Sequence, residues 1–259
     1  MKEKLITEEM KWLKECYIAH RGYHCPISAP ENSMGAFSRA VDEGFAIELD
    51  IQFTKDQEVV VFHDGHLERM TGYAKKVRDC TWDEIRSLTL LNSKEKIPLL
   101  KDVLEYIDGR VPLLIEIKNR RRVGRPERKT NELLQDYEGK FAIQSFNPYS
   151  VGWFKEHSPR IIRGQISGSF KKKQLTLYKK FLLNHLLLNH VSNPHFINYD
   201  IRYLSNLPMR IRKMKGSIIL GHTAKNSKEY KNTLEEITNV VFEGFNPKKM
   251  TAGRRNCHL

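Results

Sequence analysis

The chain is 259 residues long and lacks any long apolar run. No stretch approaches the roughly eighteen uncharged apolar residues that a membrane-crossing helix needs, so none is expected. The first residues, Met1-Lys2-Glu3-Lys4-Leu5, contain no apolar core of a secretory signal. Cysteine is scarce and scattered: Cys16, Cys25, Cys80 and Cys257 form no CxxC pair and no metal-finger spacing. Reduced thiols and a cytoplasmic location are the expectation. There is no fixed-period repeat and no low-complexity segment. Acid is in short supply, with 31 Asp and Glu against 44 Lys and Arg, for a net charge of +13. Such an excess favours anionic partners, though a basic solvated surface is the preferred reading of most of it. No aromatic-interleaved basic groove and no nucleic-acid motif accompanies it, which argues against a nucleic-acid partner.

What is present is alternation. Short β-type runs alternate with helical patterns and no long linker intervenes. Candidate strands are Cys16–Ala19, Ala46–Phe53, Val59–His63, Pro112–Ile117, Phe141–Ser145, Ile161–Ile166, Phe196–Asp200, Ser217–Leu220 and Asn239–Phe245. Candidate helices are Ser33–Glu43, Arg128–Asp136, Ser150–His157, Gln174–Asn189 and Lys228–Thr238. Several strands are nearly continuous apolar runs, as in strands buried on both faces. The pattern predicts an α/β fold with a parallel sheet, and the length suits one TIM-like (β/α)8 barrel. Residues 15–250 are read as one barrel domain, after an N-terminal extension or helix at 1–14 and before a flexible tail at 251–259. Nine strand candidates compete for eight places, and the stretch from Ile51 to Val59 is too short for a crossover helix. One βα unit is therefore irregular.

Charged residues cluster at the ends of these apolar runs. Glu48 and Asp50 stand two apart in a strand, so both side chains leave one face. Two carboxylates on an apolar strand are costly unless a cation or protons offset them. Mg2+ or Ca2+ is the natural partner of such oxygens, and solvated acids on an edge strand are the plainer alternative. Glu116 and Lys118 repeat the spacing: a third metal ligand and a point charge for a phosphate oxygen, or a simple intrastrand ion pair. His20 and His63 each end an apolar run. If both runs are parallel barrel strands, both imidazoles emerge at the C-terminal face, where one can take a proton and the other give one. Arg21 can grip a phosphate with two hydrogen bonds. Glu31 is a further ligand, an orienter of Arg21, or a helix-start acid; Asn32 or Ser33 is a candidate N-cap. Asp64 orients His63 or caps the next segment. The block Arg120-Arg121-Arg122 follows Lys118 closely enough to reach the rim of such a site.

Together these stretches resemble the glycerophosphodiester phosphodiesterase family. The matching residues are Ala19-His20-Arg21-Gly22, Pro30-Glu31-Asn32-Ser33, Glu48-Leu49-Asp50-Ile51, Thr54-Lys55-Asp56 and Val59 to Asp64. Arg69-Met70-Thr71-Gly72, Ile97-Pro98-Leu99-Leu100, Ile115-Glu116-Ile117-Lys118 and Gln144-Ser145-Phe146-Asn147-Pro148 continue the match, and Gly221-His222-Thr223 fits more loosely. The resemblance implies a TIM-like barrel, one divalent cation, Mg2+ or Ca2+, and hydrolysis of a small-molecule phosphodiester to sn-glycerol 3-phosphate and an alcohol. It implies His20 and His63 as the acid–base pair, Glu48, Asp50 and Glu116 as metal ligands, and Arg21 and Lys118 as phosphate contacts. Glu31, Asn32, Gln144 and His222 are supporting candidates.

The chain departs from the family at His222, where tryptophan is common, and at Gln57, where glycine is usual in a turn. Its segment between Asp64 and Ile97 is short. The rival readings are lysophospholipase D-type cleavage of lipid substrates at a membrane surface, and a barrel that binds phosphate esters without turning them over. The basic-apolar stretch from Lys171 to Leu188 fits an anionic membrane surface. It fits an ordinary barrel helix with a packed face as well, and that reading is preferred.

Overall fold

The structure is a computed structural model and describes residues 8–119, 122–169 and 176–250. The tail assigned to 251–259, Arg120 and Arg121, Lys171 to Leu175 and the first residues of the N-terminal extension lie outside these. The elements follow the order of a (β/α)8 barrel, eight parallel strands with helices between them and one additional strand. The chain divides into two compact units, residues 18–141, and residues from 142 onward with the N-terminal segment up to Tyr17.

The first unit is built on β2, Ala46–Phe53. It pairs in parallel with β1, Ile18–His20, and with β4, Leu113–Ile117. On its other register it turns back through residues 54–58 into β3, Val59–Val61, which runs antiparallel to it. β3 is the extra strand and the irregular unit. The expectation that His63 ends a parallel barrel strand is corrected here, because a connection this short can make only a hairpin. β2 and β4 are buried along almost their whole length, which accounts for their unbroken apolar runs. The helix Met34–Asp42 packs on β2 and buries Ala36, Phe37 and Ala40, and Ser33 caps it by accepting a hydrogen bond from the Ala36 N–H. A second apolar cluster, including Val60, Phe62, Leu67, Ile85 and Ile97, fills the segment between β3 and the helix Leu100–Ile107.

The second unit carries β5, Phe141–Ser145, β6, Arg163–Ser167, β7, Phe196–Asp200, β8, Ile218–Ala224, and β9, Asn239–Phe242, each parallel to the next. Buried Asn239 donates from its amide to the carbonyls of Leu13 and Cys16, fastening the N-terminal helix Lys11–Glu15 to β9. Among the described residues, Cys25 and Cys80 are free thiols. The pattern read as one helix over Gln174–Asn189 is a helix at Leu177–Asn184 and a short one at Asn189–Ser192. The first has no fully buried residue: Leu182, Leu183 and Asn184 are half-buried, while Leu177, Tyr178 and Phe181 are exposed. No helix among the described residues is long and apolar enough to cross a membrane.

Candidate active site

Three carboxylates from two paired strands meet in the first unit. Glu48 and Asp50 leave one face of β2, and Glu116 stands opposite Asp50 on β4. One ligand oxygen from each lies within 4.8 Å of the others, and all three residues are buried. Lys118, just past the end of β4, sets its Nζ 2.9 Å from Asp50 Oδ1 and 2.6 Å from Glu116 Oε1. The Nε of Arg21 lies 3.3 Å from Asp50 Oδ2. The cluster thus carries three acids against two cations. Burial, then Asp50 and Glu116, push the Glu48 carboxyl well above its ordinary range. Burial raises Glu116 as well. Burial would raise Asp50 too, but Lys118, His63 and Arg21 outweigh it and hold Asp50 low. Lys118 is pushed up against its own burial by Asp50 and Glu116. Concentrated hard oxygen donors with negative charge left over fit a divalent cation of the Mg2+ or Ca2+ type.

The turn after β1 brings His20 and Arg21 to this cluster. His20 pairs with Glu48 in the β1–β2 register, and its Nε2 is 4.0 Å from Glu48 Oε2. The Arg21 backbone sits at φ 55° and its N–H donates to Glu48 Oε2. Gly22 follows at φ 79°, and a Cβ there would lie 3.0 Å from the Ala36 backbone, so glycine is required for the turn to lie against the helix. Asn32 closes the loop in both directions: its amide donates to Asp50 Oδ2 and its carbonyl oxygen accepts from the Asp50 N–H. Asn32 is thus a brace for Asp50, while Ser33 is the cap.

His63 arrives by the hairpin. The Phe62 N–H donates to the Asp50 carbonyl, and the Gln52 amide donates to the His63 carbonyl, which pins residue 63 beside the acids. Its Nδ1 lies 2.5 Å from Asp64 Oδ1. Asp64 is held below its usual range, by Arg69 and His63 against burial, and only accepts. The His63 Nδ1 is therefore the protonated nitrogen, and Nε2 carries the lone pair. Burial, with Lys118, lowers the imidazole to about 4.

Arg69 is the residue whose role the sequence left unread. Its Nη2 and Nη1 donate to Glu31 at 2.6 and 3.1 Å, and its Nε donates to Asp64 at 2.5 Å. Glu31 in turn accepts from Arg21 Nη1 at 2.7 Å. One guanidinium therefore ties the carboxylate that orients His63 to the carboxylate that orients Arg21. Lys118 also borders a cavity of about 610 Å³ whose wall includes Lys55, Lys76, Arg78 and Arg122. Of the arginine block expected near the rim, Arg122 lines this cavity, and Arg120 and Arg121 lie outside the described residues.

Gln144 and His222 form a separate cluster in the second unit. The Asn198 amide donates to Gln144 Oε1 at 2.9 Å, and His222 Nδ1 lies 3.0 Å from Asn198 Oδ1. Phe146 meets the His222 ring edge-on. Asn198 carried no signal in the sequence, since its part depends on the β7–β8 register.

A family model described as the glycerophosphoryl diester phosphodiesterase family matches residues 20–248. The chain belongs to that family. Within it, the chain is 33% identical over 186 residues to the Bacillus subtilis protein YhdW, covering 67% of this chain and 75% of the relative. It is 38% identical over 161 residues to a glycerophosphodiester phosphodiesterase of Caldanaerobacter subterraneus, covering 58% of this chain and 65% of that one. The match to that second relative thus spans just under two thirds of its length. Among solved structures, an Oleispira antarctica phosphodiesterase in complex with sn-glycerol 3-phosphate superposes with a TM-score of 0.76 at 21% identity, over 92% of this chain and 96% of that one. At that identity the likeness shows the fold, a TIM-like (β/α)8 barrel.

Proposed function

We propose that this member of the glycerophosphoryl diester phosphodiesterase family hydrolyses glycerophosphodiesters to sn-glycerol 3-phosphate and an alcohol. The observation that carries the reading is the buried triad Glu48, Asp50 and Glu116 with Lys118 and Arg21 bound into it. The product-bound Oleispira phosphodiesterase supports the choice of substrate class. Glu48, Asp50 and Glu116 would hold one divalent cation, Mg2+ or Ca2+, which when bound supplies positive charge to the phosphoryl oxygens.

Arg21 and Lys118 grip the non-bridging oxygens and offset the charge that grows on them in the transition state. Glu31 keeps the Arg21 fork aimed. His63, neutral and with its Nε2 lone pair exposed by the Asp64 contact, takes the proton from the nucleophile. His20 gives a proton to the departing alcohol oxygen.

The test is release of glycerol 3-phosphate from a panel of head groups, by the wild-type chain and by His20→Ala and His63→Ala. Release by the wild type, lowered by roughly two to four powers of ten in each variant, is expected. No release from any member of the panel, or near-normal turnover by both folded variants, contradicts the reading. A panel result favouring lysophospholipids would instead favour the lipid-substrate reading.

A further inference from the structure

Eleven large hydrophobic side chains are exposed among the described residues, and seven of them fall between Leu177 and Met214. They follow helical spacing. Leu177 and Phe181, with Tyr178 beside them, form one stripe on the helix Leu177–Asn184, and Leu177 is 84% exposed. Leu207, Ile211 and Met214 stand at i, i+4 and i+7 on the helix Leu207–Met214, and Met214 is 85% exposed. Soluble surfaces seldom gather apolar side chains in this way without a partner.

The two helices meet at one buried side chain. Tyr199 Oη donates to the Asn184 carbonyl at the end of the first helix and accepts from the amide of Asn206, the N-cap of the second. Basic residues flank both stripes: Lys179 and Lys180 on the first helix, Arg210 and Arg212 on the second, with Lys215 next to it. Lys179, Arg210 and Arg212 make no ion pair among the described residues. Between Thr176 and Lys215 the sequence contains a single acid, Asp200, and it is bound to Arg202.

We propose that these two helices form a docking surface for an anionic lipid bilayer. Apolar stripes with cationic flanks lie in a membrane interface with the side chains among the acyl chains and the cations at the headgroups. Charge complementarity selects this occupant over a second copy of the chain. A two-fold interface through the same face would pack its cations against a copy that likewise offers cations and no acid but Asp200, already bound to Arg202, and those like charges repel. The proposal is independent of the catalytic reading, since its residues touch none of the site.

Co-sedimentation tests it, using the full chain with vesicles of phosphatidylcholine alone and of equimolar phosphatidylcholine and phosphatidylglycerol. Binding to the mixed vesicles, weakened by salt, is expected. Lys179→Gln with Arg210→Gln lowers it by about fivefold for each cation removed. Leu177→Gln, Phe181→Gln and Met214→Gln together reduce it to the level seen with phosphatidylcholine alone. All five positions are exposed, and circular dichroism checks that the variants fold. The proposal is overturned by failure to bind the mixed vesicles at low salt, by equal binding to both vesicle types, or by binding unchanged in the apolar variant. A lipid-free dimer abolished by the apolar substitutions overturns it too, because the occupant is then a second copy.

Discussion

Arg69 shows how much of this site depends on residues that need touch no substrate. Its guanidinium holds Glu31 and Asp64 together, and through them Arg21 and His63. Arg69→Gln is expected to lower kcat by roughly 10- to 100-fold, the scale of losing sub-ångström aim at a reacting group. Steady-state kinetics of Arg69→Gln, Asp64→Asn and the double variant check it. The two losses are expected to be non-additive, because both free His63, with the part of the Arg69 loss that acts through Glu31 on Arg21 remaining on top; fully additive losses would mean that Arg69 does not act through Asp64. The main side chains of the cluster were legible in the sequence for a simple reason. Glu48 with Asp50, and Glu116 with Lys118, share a face by the two-residue period of a strand, and apolar neighbours mark those strands as buried. Arg69 was not legible in this way. Its partner Glu31 is 38 residues distant, and only the folded path of the chain brings them together.

At the scale of elements, the β2–β3 hairpin decides where His63 goes. An excess strand candidate and a connection too short for a helix revealed an irregular unit, but the direction of β3 was hidden, because Val59 to Val61 reads as a strand either way. The turn stores a small cost: Gln57 sits at φ 70°, the left-handed region that side chains avoid. Gln57→Gly is expected to raise stability by about 0.5 kcal/mol, the left-handed penalty less the extra unfolded-state entropy of glycine. Urea denaturation measures it, and a loss of stability would show that the contacts of Gln57 to the Thr54 and Lys55 carbonyls outweigh the strain. The helix Leu100–Ile107 was missed because its first turn follows Leu99, which offers no side-chain cap. The helix Leu207–Met214 had its signals in Asn206 and Pro208; it buries Met209 and leaves Leu207, Ile211 and Met214 facing outward.

The whole molecule responds to pH through its buried titratable groups. His195 is held at about 4 by burial and by Arg163, and its Nδ1 accepts the Arg163 N–H. Unfolded, the same imidazole titrates at its ordinary 6.5. Between these values the unfolded chain binds the proton and the folded one does not, so this histidine removes stability as pH falls from 6.5 to 4. His195→Gln is therefore expected to lose less stability than the wild type over that interval, by at most one proton's worth of slope. Denaturation curves at several pH values check it, and parallel pH dependences would show that His195 is protonated in the folded protein.

The barrel class was legible at this scale because a run of buried strands alternating with helices has few other solutions. The exposed stripes of the second unit were not, since an apolar helical pattern reads as a packed face. The whole proposal rests on a doubly charged ion among Glu48, Asp50 and Glu116. The most direct measurement is glycerol 3-phosphate release from glycerophosphocholine by chelator-treated protein, before and after Mg2+ or Ca2+ is returned. Release that vanishes with chelator and returns with one of the ions is the expected result; release indifferent to chelator would contradict it.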